Sequence, residues 1–315
     1  MRVFNFNGKL VPESEAKISI YDSALMFGDM VFEMTRSFNG KQFKLREHLE
    51  RLYAGIKILR IPIDIDIQEM ERRCLETQEA NHFEDDEHRL MIDVSRGTLG
   101  IYQNVQGLNK GPNVIIADFP LRWTVAGMGH LFDSGIHAVI PSQRAIPESL
   151  LDPKIKNRSR IHYLMANIEV SQVKGEDNWA LLLDTDGFIA EGTGDNFFIV
   201  KDDVLITPEP RNILRGISRD FVLNDLWHWG ASNVVQRNIT PYDVYTADEA
   251  FMTGTPFCML PVTQLNGLPI GTGLPGRVFK SLLAAWSAAV DVNIEAQIKG
   301  WDVEKPTGPS PYQFA

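Results

Sequence analysis

Three short segments of this 315-residue chain carry side chains that could perform chemistry together. The segment PKIK at 153–156 ends on Lys156, whose amine could attack a carbonyl carbon. The segment EGTGDN at 191–196 begins with a carboxylate, Glu191, and its glycines would let the backbone pass close to a flat ligand. The segment LRGISRD at 214–220 places a glycine just before a predicted helix, a pattern that suits anion binding. The chain therefore offers an amine nucleophile, a carboxylate and an anion-binding turn in that order.

Each of these segments also has a simpler interpretation. Lys154 and Lys156 could be two solvated lysines on a strand edge, since lysine is usually exposed. Glu191 could be an exposed residue at a glycine-rich hairpin end, and Ser218 could be an ordinary helix N-cap. Their combination favours chemistry, because a pyridoxal phosphate enzyme needs a Schiff-base lysine, an acidic partner for the pyridine nitrogen and a phosphate-binding site.

More than one group could bind the phosphate. The backbone N–H groups of Ile217 and Ser218, the Ser218 hydroxyl and the helix dipole would together stabilise a dianion. A second turn, TGT at 253–255, follows a predicted strand and offers another hydroxyl and further N–H donors. Arg51, on a predicted helix, could supply the counter-charge, although a solvated arginine on a helix face is the simpler interpretation.

Composition excludes several other classes of function. The formal net charge of −10 disfavours nucleic acid as a partner, because binding phosphates needs clustered lysine and arginine. Cys74 and Cys258 make neither a metal-binding spacing nor a disulfide framework, which favours a reducing compartment. The first residues alternate like a strand, unlike a signal peptide, and no apolar run approaches the roughly 18 residues that span a membrane. These patterns predict a cytoplasmic protein without a metal site.

The first part of the chain, residues 1–122, predicts a small α/β domain. Asn-Gly pairs at 7–8 and 39–40 lie between alternating apolar segments and predict hairpins, the second with arms over 31–38 and 42–45. Apolar spacing predicts the other elements of this part, which are helices at 49–59 and 67–80 and strands at 89–95 and 114–118.

A loss of periodicity at 123–129 predicts a linker, and residues 130–305 predict a larger domain. This domain mixes many short strands with few helices, which favours an α+β fold over a doubly wound parallel sheet. Residues 306–315 predict a flexible tail. The strands predicted in the larger domain include 179–183, 196–200, 204–207 and 250–253, and the helices are 158–173, 217–229 and 275–289.

Taken in order, the motifs resemble those of the class IV aminotransferases, which are fold-type IV pyridoxal phosphate enzymes, along nearly the whole chain. FGDMVFE at 27–33 and EHLERL at 47–52 are similar to the N-terminal signature of branched-chain and D-amino acid aminotransferases. The segments PKIK, EGTGDN and LRGISRD, followed by ADEAFMTGT at 247–255, complete the set. The resemblance implies a small N-terminal α/β domain and a larger C-terminal domain with barrel-like mixed sheets.

The resemblance also implies the cofactor, pyridoxal 5′-phosphate, and the residues that bind it. Lys156 would be the Schiff-base lysine and Glu191 the partner of the pyridine nitrogen. The residues that would bind the phosphate are Arg51, Thr255 and, through their amides, Ile217 and Ser218. A homodimer is implied as well, and the apolar stretch at 24–38, without an evident burial partner in its own domain, supports it.

The chain departs from the family pattern mainly around the substrate. Branched-chain enzymes usually carry a tyrosine five residues after the lysine, where this chain has Ile161 and the nearest candidate is Tyr163. Met34 stands where those enzymes tend to have glycine. The Arg-x-His carboxylate site of D-amino acid enzymes is missing at 99–102, which reads LGIY. The residues that match branched-chain positions near the substrate are Phe32, Arg36 and Arg89.

The expected activity is amino-group exchange between an aliphatic, branched-chain-like amino acid and a 2-oxo acid such as 2-oxoglutarate. An (R)-selective amine or D-amino acid transaminase is one alternative, because Met34 and Ile161 break the branched-chain pattern. An elimination of the aminodeoxychorismate lyase type is another, since it uses the same cofactor residues. Around 95–105 Arg96 is the only basic residue, which disfavours the multiply anionic substrate of a lyase.

Overall fold

The structure is a computed structural model that describes residues 1–102 and 104–302. The chain divides into two compact units, the first formed by residues 1–123 and 155–160 and the second by 124–154 and the described residues from 161 onward. A short helix, Arg122–Val125, lies at the start of the segment 123–129 that was predicted to be a linker. The predicted tail lies outside the described residues, and the predicted domain boundaries stay predictions.

The first unit is built on an antiparallel sheet covered by two amphipathic helices, with strand order β2-β1-β7-β6-β3. Its elements are β1 (Val3–Phe6), β2 (Lys9–Pro12), α1 (Ser23–Phe27), β3 (Met30–Met34), β4 (Ser37–Phe38), β5 (Lys41–Gln42), α2 (Leu45–Leu59), α3 (Ile67–Glu79), β6 (His88–Ser95) and β7 (Asn113–Pro120), with 3-10 turns at Glu13–Glu15 and Gly100–Tyr102. The helix Arg122–Val125 (α4) spans the boundary of the unit.

The core of the first unit follows from the two-residue period of its strands and the period of about 3.6 residues of its helices. Leu90, Ile92 and Val94 alternate along β6, so all three point to one face of the sheet. On the helices the buried residues recur three or four positions apart, as Leu49 and Leu52 do on α2, and they join the same buried cluster. Both predicted helices of this unit are therefore confirmed, and their apolar faces place α2 against the sheet.

Two expectations for the first unit need correction. The hairpin predicted around Asn39-Gly40 is present but shorter than predicted, because only β4 and β5 pair in it, whereas β3 pairs with β6 along its whole length. The apolar stretch at 24–38 does have burial partners, since Met30, Val31 and Phe32 are buried in the unit. The part of that stretch that stays exposed lies in α1.

The second unit contains a closed barrel of six strands. Its elements are α5 (Leu131–Ser134), β8 (Ile136–Val139), α6 (Ile161–Val170), β9 (Asn178–Leu183), β10 (Ile189–Gly192), β11 (Asn196–Lys201), β12 (Val204–Thr207), α7 (Ile217–Phe221), β13 (Asn233–Gln236), α8 (Pro241–Tyr245), β14 (Glu249–Gly254), β15 (Cys258–Leu265), β16 (Leu268–Pro269), α9 (Arg277–Val290) and α10 (Ile294–Gly300). The barrel order is β10-β9-β8-β15-β14-β11, and β11 pairs back to β10. The predicted barrel-like mixed sheet is confirmed, since parallel and antiparallel pairs both occur.

The strands of the barrel read as nearly continuous apolar runs because both faces are buried. β11 and β14 have buried residues at almost every position, as expected for strands covered on both sides.

The helical run predicted at 217–229 is present as α7, a π-helical turn at Val222–Leu226 and a 3-10 turn at Trp227–Trp229. Within the described residues, no helix has both the length and the apolar character needed to cross a membrane.

Candidate active site

Lys156 lies in an extended segment that adds to the outer edge of β3 in the first unit. The Phe32 N–H donates to the Lys156 carbonyl at 2.9 Å, and the Arg158 N–H donates to the Met30 carbonyl at 3.0 Å. Val31 and Asn157 form an antiparallel bridge between these two bonds. These bonds hold the segment extended, so the helix predicted from residue 158 begins only at Ile161, and residues 155–160 fold with the first unit.

The lysine side chain lies over an aromatic ring. Lys156 Nζ is 4.8 Å from the centroid of the Phe32 ring, a distance at which a cation is attracted to the ring face. Phe32 itself is buried. Lys154, in the second unit, instead forms ion pairs with Glu148 at 2.9 Å and Asp152 at 3.0 Å. The interpretation as a simple charged surface lysine therefore fits Lys154 better than Lys156.

A buried carboxylate, Glu33, holds Arg51 by two hydrogen bonds. Arg51 Nε donates to Oε1 at 2.6 Å and Nη2 to Oε2 at 2.8 Å, while His48 Nδ1 lies 2.8 Å from Oε2. Burial would raise the pKa of Glu33, but the Arg51 cation and His48 outweigh it and hold this pKa well below its usual range. Burial is the largest cause of the lowered pKa of His48; Glu33 acts in the opposite direction, and the charges of Arg51 and Lys156 add to the lowering. His48 and Arg51 are three residues apart on α2 and so share a face.

Arg36 and Arg89, predicted to lie near the substrate, are both buried inside the first unit. The Arg36 guanidinium stacks on the Phe38 ring with 3.9 Å between its carbon and the centroid, and Arg89 Nη2 approaches Met34 Sδ at 3.5 Å. Burial, and to a smaller extent the Arg36 cation, lowers the pKa of Arg89 to about 10. The two cations are thus near each other, a placement that a carboxylate would stabilise.

Glu191 lies at the end of β10 in the second unit, where it is almost fully buried and held by neutral donors. Tyr163 Oη donates to Oε1 at 3.0 Å. Asn196 Nδ2 and the Leu214 N–H each donate to Oε2 at 3.0 Å. The barrel creates this arrangement, since Glu191 and Asn196 are directly paired where β10 meets β11. The carboxylate therefore keeps its orientation without a direct salt bridge among these contacts.

Arg219 is a nearby cation that the sequence interpretation did not single out. It is buried, and its Nη2 donates to the Pro208 carbonyl at 2.9 Å and to Gln236 Oε1 at 2.8 Å. Burial lowers its pKa to about 10, and the charge of Glu191 acts against that shift. The arginine itself could be seen in the LRGISRD motif. Its burial could not, because its partners Pro208 and Gln236 lie 11 and 17 residues away.

The helix start at 217 has the features of an anion-binding turn. Gly216 is the N-cap and supplies no side-chain cap, so the first amides of the run, which have no intrahelical partner, are not capped by a side chain. A Cβ at Gly216 would lie 2.1 Å from Asn196 Oδ1, so this position requires glycine. Ser218 is buried in the first turn.

The turn after β14 adds hydroxyl groups. Thr255 directly follows the strand and is half-buried. Thr253 is buried, and its hydroxyl oxygen has no hydrogen-bond partner among the described residues. Thr253 pairs with Asn196 between β14 and β11, so this hydroxyl lies next to the residue that binds Glu191. An unsatisfied buried hydroxyl, uncapped helix amides and an oriented carboxylate fit a phosphorylated, protonated pyridine ring.

The structure brings the predicted residues together in two sets. In the first unit it places Lys156 over Phe32, Arg51 against Glu33, and Arg36 near Arg89. In the second unit the two parts are the carboxylate of Glu191 and the turns that carry Ile217, Ser218 and Thr255. Sequence interpretation missed the supporting roles of Glu33, His48, Asn196 and Arg219. Asn196 lies only five residues from Glu191, in the same motif, but the contacts of the other three join more widely separated segments.

Comparison with known proteins identifies the family. Residues 30–265 match the family described as Amino-transferase class IV. A Methanocaldococcus jannaschii protein, provisionally named a branched-chain-amino-acid aminotransferase, is 36% identical over 303 residues, covering 96% of this chain and all of the relative. The T.th. branched-chain amino acid aminotransferase with pyridoxamine 5′-phosphate has a TM-score of 0.82 at 29% identity, covering 95% of this chain and 97% of that one. The same enzyme with N-(5′-phosphopyridoxyl)-L-glutamate gives a TM-score of 0.80 at 28% identity, with the same coverage.

The chain belongs to the class IV aminotransferases. It is a pyridoxal phosphate-dependent transaminase of fold type IV, as the sequence resemblance implied. The carboxylate, the amine and the anion-binding turns described above are the groups that this cofactor requires.

Proposed function

We propose that this transaminase moves the amino group of an aliphatic, branched-chain-like amino acid to a 2-oxo acid such as 2-oxoglutarate. The observation that carries the proposal is the similarity to a relative provisionally named for that activity, which extends over 96% of this chain. A neighbouring structure holds a phosphopyridoxyl-glutamate adduct, which supports glutamate and 2-oxoglutarate as one pair of substrates.

Lys156 is the residue that binds the cofactor covalently, and Glu191 is the partner of its pyridine nitrogen. The position of the Lys156 amine over Phe32, with Lys154 engaged by carboxylates, supports the first role. The neutral donors around Glu191 support the second, because they fix the orientation of a carboxylate that could then accept a charge-assisted hydrogen bond from a protonated ring nitrogen. The phosphate is bound by Arg51, by the Ile217 and Ser218 amides and by Thr255.

Lys156 and Glu191 have different roles in the proposed reaction. When bound, pyridoxal phosphate supplies an electron-withdrawing ring that makes the substrate Cα proton acidic. Lys156 Nζ would act there as the general acid–base, taking the proton from the substrate Cα and delivering it to the C4′ carbon of the cofactor. General acid–base transfer of this kind typically contributes about 10²–10⁴-fold. Glu191 holds the proton on the pyridine nitrogen throughout.

Phe32 lines the side-chain pocket, and Arg36 or Arg89 lies near the substrate carboxylate. The proximity of two buried guanidiniums supports this role, since an anion between them relieves their mutual repulsion. An apolar pocket gains only about 1–3 kcal/mol from an extra methylene, so we expect activity over several aliphatic or aromatic side chains.

The covalent role of Lys156 is tested with a matched pair of variants, K156A and K154A. Wild type and K154A should show the visible absorption band of lysine-bound cofactor and yield phosphopyridoxyl-lysine after borohydride reduction. K156A should lose both, because it alone lacks the amine at the predicted attachment point. Modified lysine in K156A, or its absence from wild type, would show that the proposed role is wrong.

The substrate class is tested by half-reactions of the holoenzyme. We expect L-leucine to bleach the band of the lysine-bound cofactor, because its side chain is aliphatic and branched. D-alanine and (R)-1-phenylethylamine test the D-amino acid and (R)-amine alternatives, and aminodeoxychorismate tests the lyase alternative. Bleaching by the D-amino acid or the (R)-amine alone would overturn the branched-chain assignment.

The protein is a homodimer in this proposal, and exposed apolar side chains support it. Leu25 and Phe27 on α1 are 63% and 66% exposed, and Ile161 at the start of α6 is 68% exposed. Sedimentation of the holoenzyme should give twice the 35.5 kDa chain mass, and L25E should shift the protein toward the monomer. An active monomer at working concentration would contradict the proposal.

A cytoplasmic location stays a prediction.

A further inference from the structure

A second set of contacts, besides the backbone bonds, holds the lysine segment in the first unit. Lys156 and Arg158 are two positions apart in an extended segment, so their side chains leave the same face. Both reach the Phe32 ring, with Lys156 Nζ 4.8 Å and the Arg158 guanidinium carbon 3.8 Å from its centroid. The two residues therefore share one aromatic surface.

Asp93 holds the guanidinium in place from the neighbouring strand. Arg158 Nε and Nη2 donate to Asp93 Oδ1 at 2.9 and 2.7 Å. Asp93 on β6 is directly paired with Phe32 on β3, so the two side chains lie on the same face of the sheet. The planar group of the arginine is thus fixed in two ways, by an ion pair and by stacking on the ring.

Burying the Asp93 carboxylate in this ion pair costs free energy, because the charge loses its hydration. Asp93 is 6% exposed, and burial raises its pKa even though Arg158 acts in the opposite direction. Apolar residues at buried positions often give a protein the same stability as a buried ion pair. The pair therefore adds little stability that apolar packing could not supply. What it does supply is direction, because two charge-assisted hydrogen bonds to Asp93 Oδ1 and stacking on the Phe32 ring together fix the position and the plane of the guanidinium.

We propose that Arg158, held by Asp93, is a positioning residue that fixes the Phe32 ring and the extended segment so that Lys156 Nζ stays at one place over the ring. The inference rests on the proposed role of Lys156 as the covalent attachment point. Arg158 touches neither the substrate nor the cofactor in this proposal and acts through Phe32 and the segment. Losing it widens the range of positions open to the amine, and misplacement by about 1 Å can cost around 10²-fold in rate.

The experiment measures how fast Lys156 captures the cofactor when pyridoxal phosphate is added to apoenzyme. Samples are quenched with borohydride over time, and phosphopyridoxyl-Lys156 is quantified by mass spectrometry. R158M and D93N should slow capture roughly 10- to 100-fold, while R158K, which keeps the charge without the fork, should slow it less than R158M. The rate constant of the half-reaction with the amino donor should fall in the same order.

The matched control is R122M, which removes another arginine of the first unit that donates to a buried carboxylate, Asp86, at 2.5 Å. R122M should lower the melting temperature yet capture the cofactor at the wild-type rate. Wild-type capture rates in R158M and D93N, with only a lower melting temperature, would show that the Asp93–Arg158 pair is merely structural. Failure of wild type itself to capture the cofactor would overturn the proposed function, and the positioning role with it.

Discussion

The regions around Lys156 and Glu191 stabilise buried charges in different ways. Around Lys156 the carboxylates are paired with arginines, as Glu33 is with Arg51 and Asp93 with Arg158. Around Glu191 the carboxylate accepts hydrogen bonds from a phenol, an amide side chain and a backbone N–H. In the first region the carboxylates form ion pairs, whereas in the second the direct donors to the carboxylate are neutral and the Arg219 cation acts on it without one of these bonds.

The difference shows which carboxylate is available to a ligand. A carboxylate held by a bidentate arginine has its charge largely compensated and serves to orient that arginine. A carboxylate that accepts from neutral donors is oriented without forming an ion pair with them, so its charge can also attract a cationic partner. Glu33 therefore supports Arg51 through both of its oxygens, and Asp93 supports Arg158 through Oδ1, whereas Glu191 is the carboxylate that we propose contacts a protonated ring.

The largest expected effect comes from removing the charge of Glu191, the carboxylate that neutral donors orient. E191Q keeps the shape of the side chain, so cofactor binding should weaken little, while turnover should fall roughly 10²–10³-fold, as for loss of one electrostatic contact in an active site. Turnover and the cofactor dissociation constant are measured on the same preparation.

The control for this variant is E249Q. Glu249 also accepts from neutral donors, the Val278 and Phe279 N–H groups at 2.9 Å each, but at the start of α9. E249Q should lose stability and keep turnover. Near-normal turnover in E191Q would remove the distinction between the two regions.

An intermediate effect is expected from breaking a compensated pair. E33Q should lower the free energy of unfolding by about 3 kcal/mol at neutral pH, because it leaves Arg51 without its counter-charge in a buried site. The folded-state pKa of Glu33 is depressed, so its contribution is present above the unfolded pKa of about 4.3 and is lost as the pH falls below it. Wild type should therefore lose stability on acidification more steeply than E33Q.

Denaturant unfolding between neutral pH and pH 3 measures this slope. E13Q is the comparison, since Glu13 pairs with Arg2 at the surface, where such pairs contribute little. Parallel pH profiles for wild type and E33Q would mean that the pKa of Glu33 is not depressed in the folded protein.

The smallest expected effect comes from removing one neutral donor. Y163F deletes the hydrogen bond to Glu191 Oε1 and leaves the two bonds to Oε2, so turnover should fall about tenfold, or ~1.4 kcal/mol. Y53F is matched to it, because the Tyr53 hydroxyl donates to the Ile65 and Asp66 carbonyls in the first unit. Equal turnover in Y163F and Y53F would show that Tyr163 does not orient the carboxylate.

Local patterns in the sequence were sufficient to locate the helices and strands whose buried residues follow a helical or strand spacing. The helices α2 and α3 and the strands β11, β12 and β14 lie where apolar spacing predicted them, because each buries a face or a run that can be read within its own segment. The chemistry-bearing segments were identifiable for the same reason, since a lysine, a carboxylate and a glycine before a helix are local features.

Pairing between distant segments was decided only by the tertiary structure. β3 had an adjacent hairpin partner available, yet it pairs with β6, which begins only after α2 and α3, and its apolar residues Met30, Val31 and Phe32 are buried in that arrangement. The lysine segment likewise joins β3 and begins no helix, because its backbone donors and acceptors are satisfied at that sheet edge.

The sequence by itself determined the class of this protein, since the reacting residue types occur in order along the chain and the family match at 30–265 covers them. Only the tertiary structure decided how each charge is held. Glu33 and Arg51 are 18 residues apart, Asp93 and Arg158 are 65 apart, and Tyr163 and Glu191 are 28 apart. No local periodicity encodes such pairs, because whether a buried charge is compensated depends on what the rest of the fold brings against it.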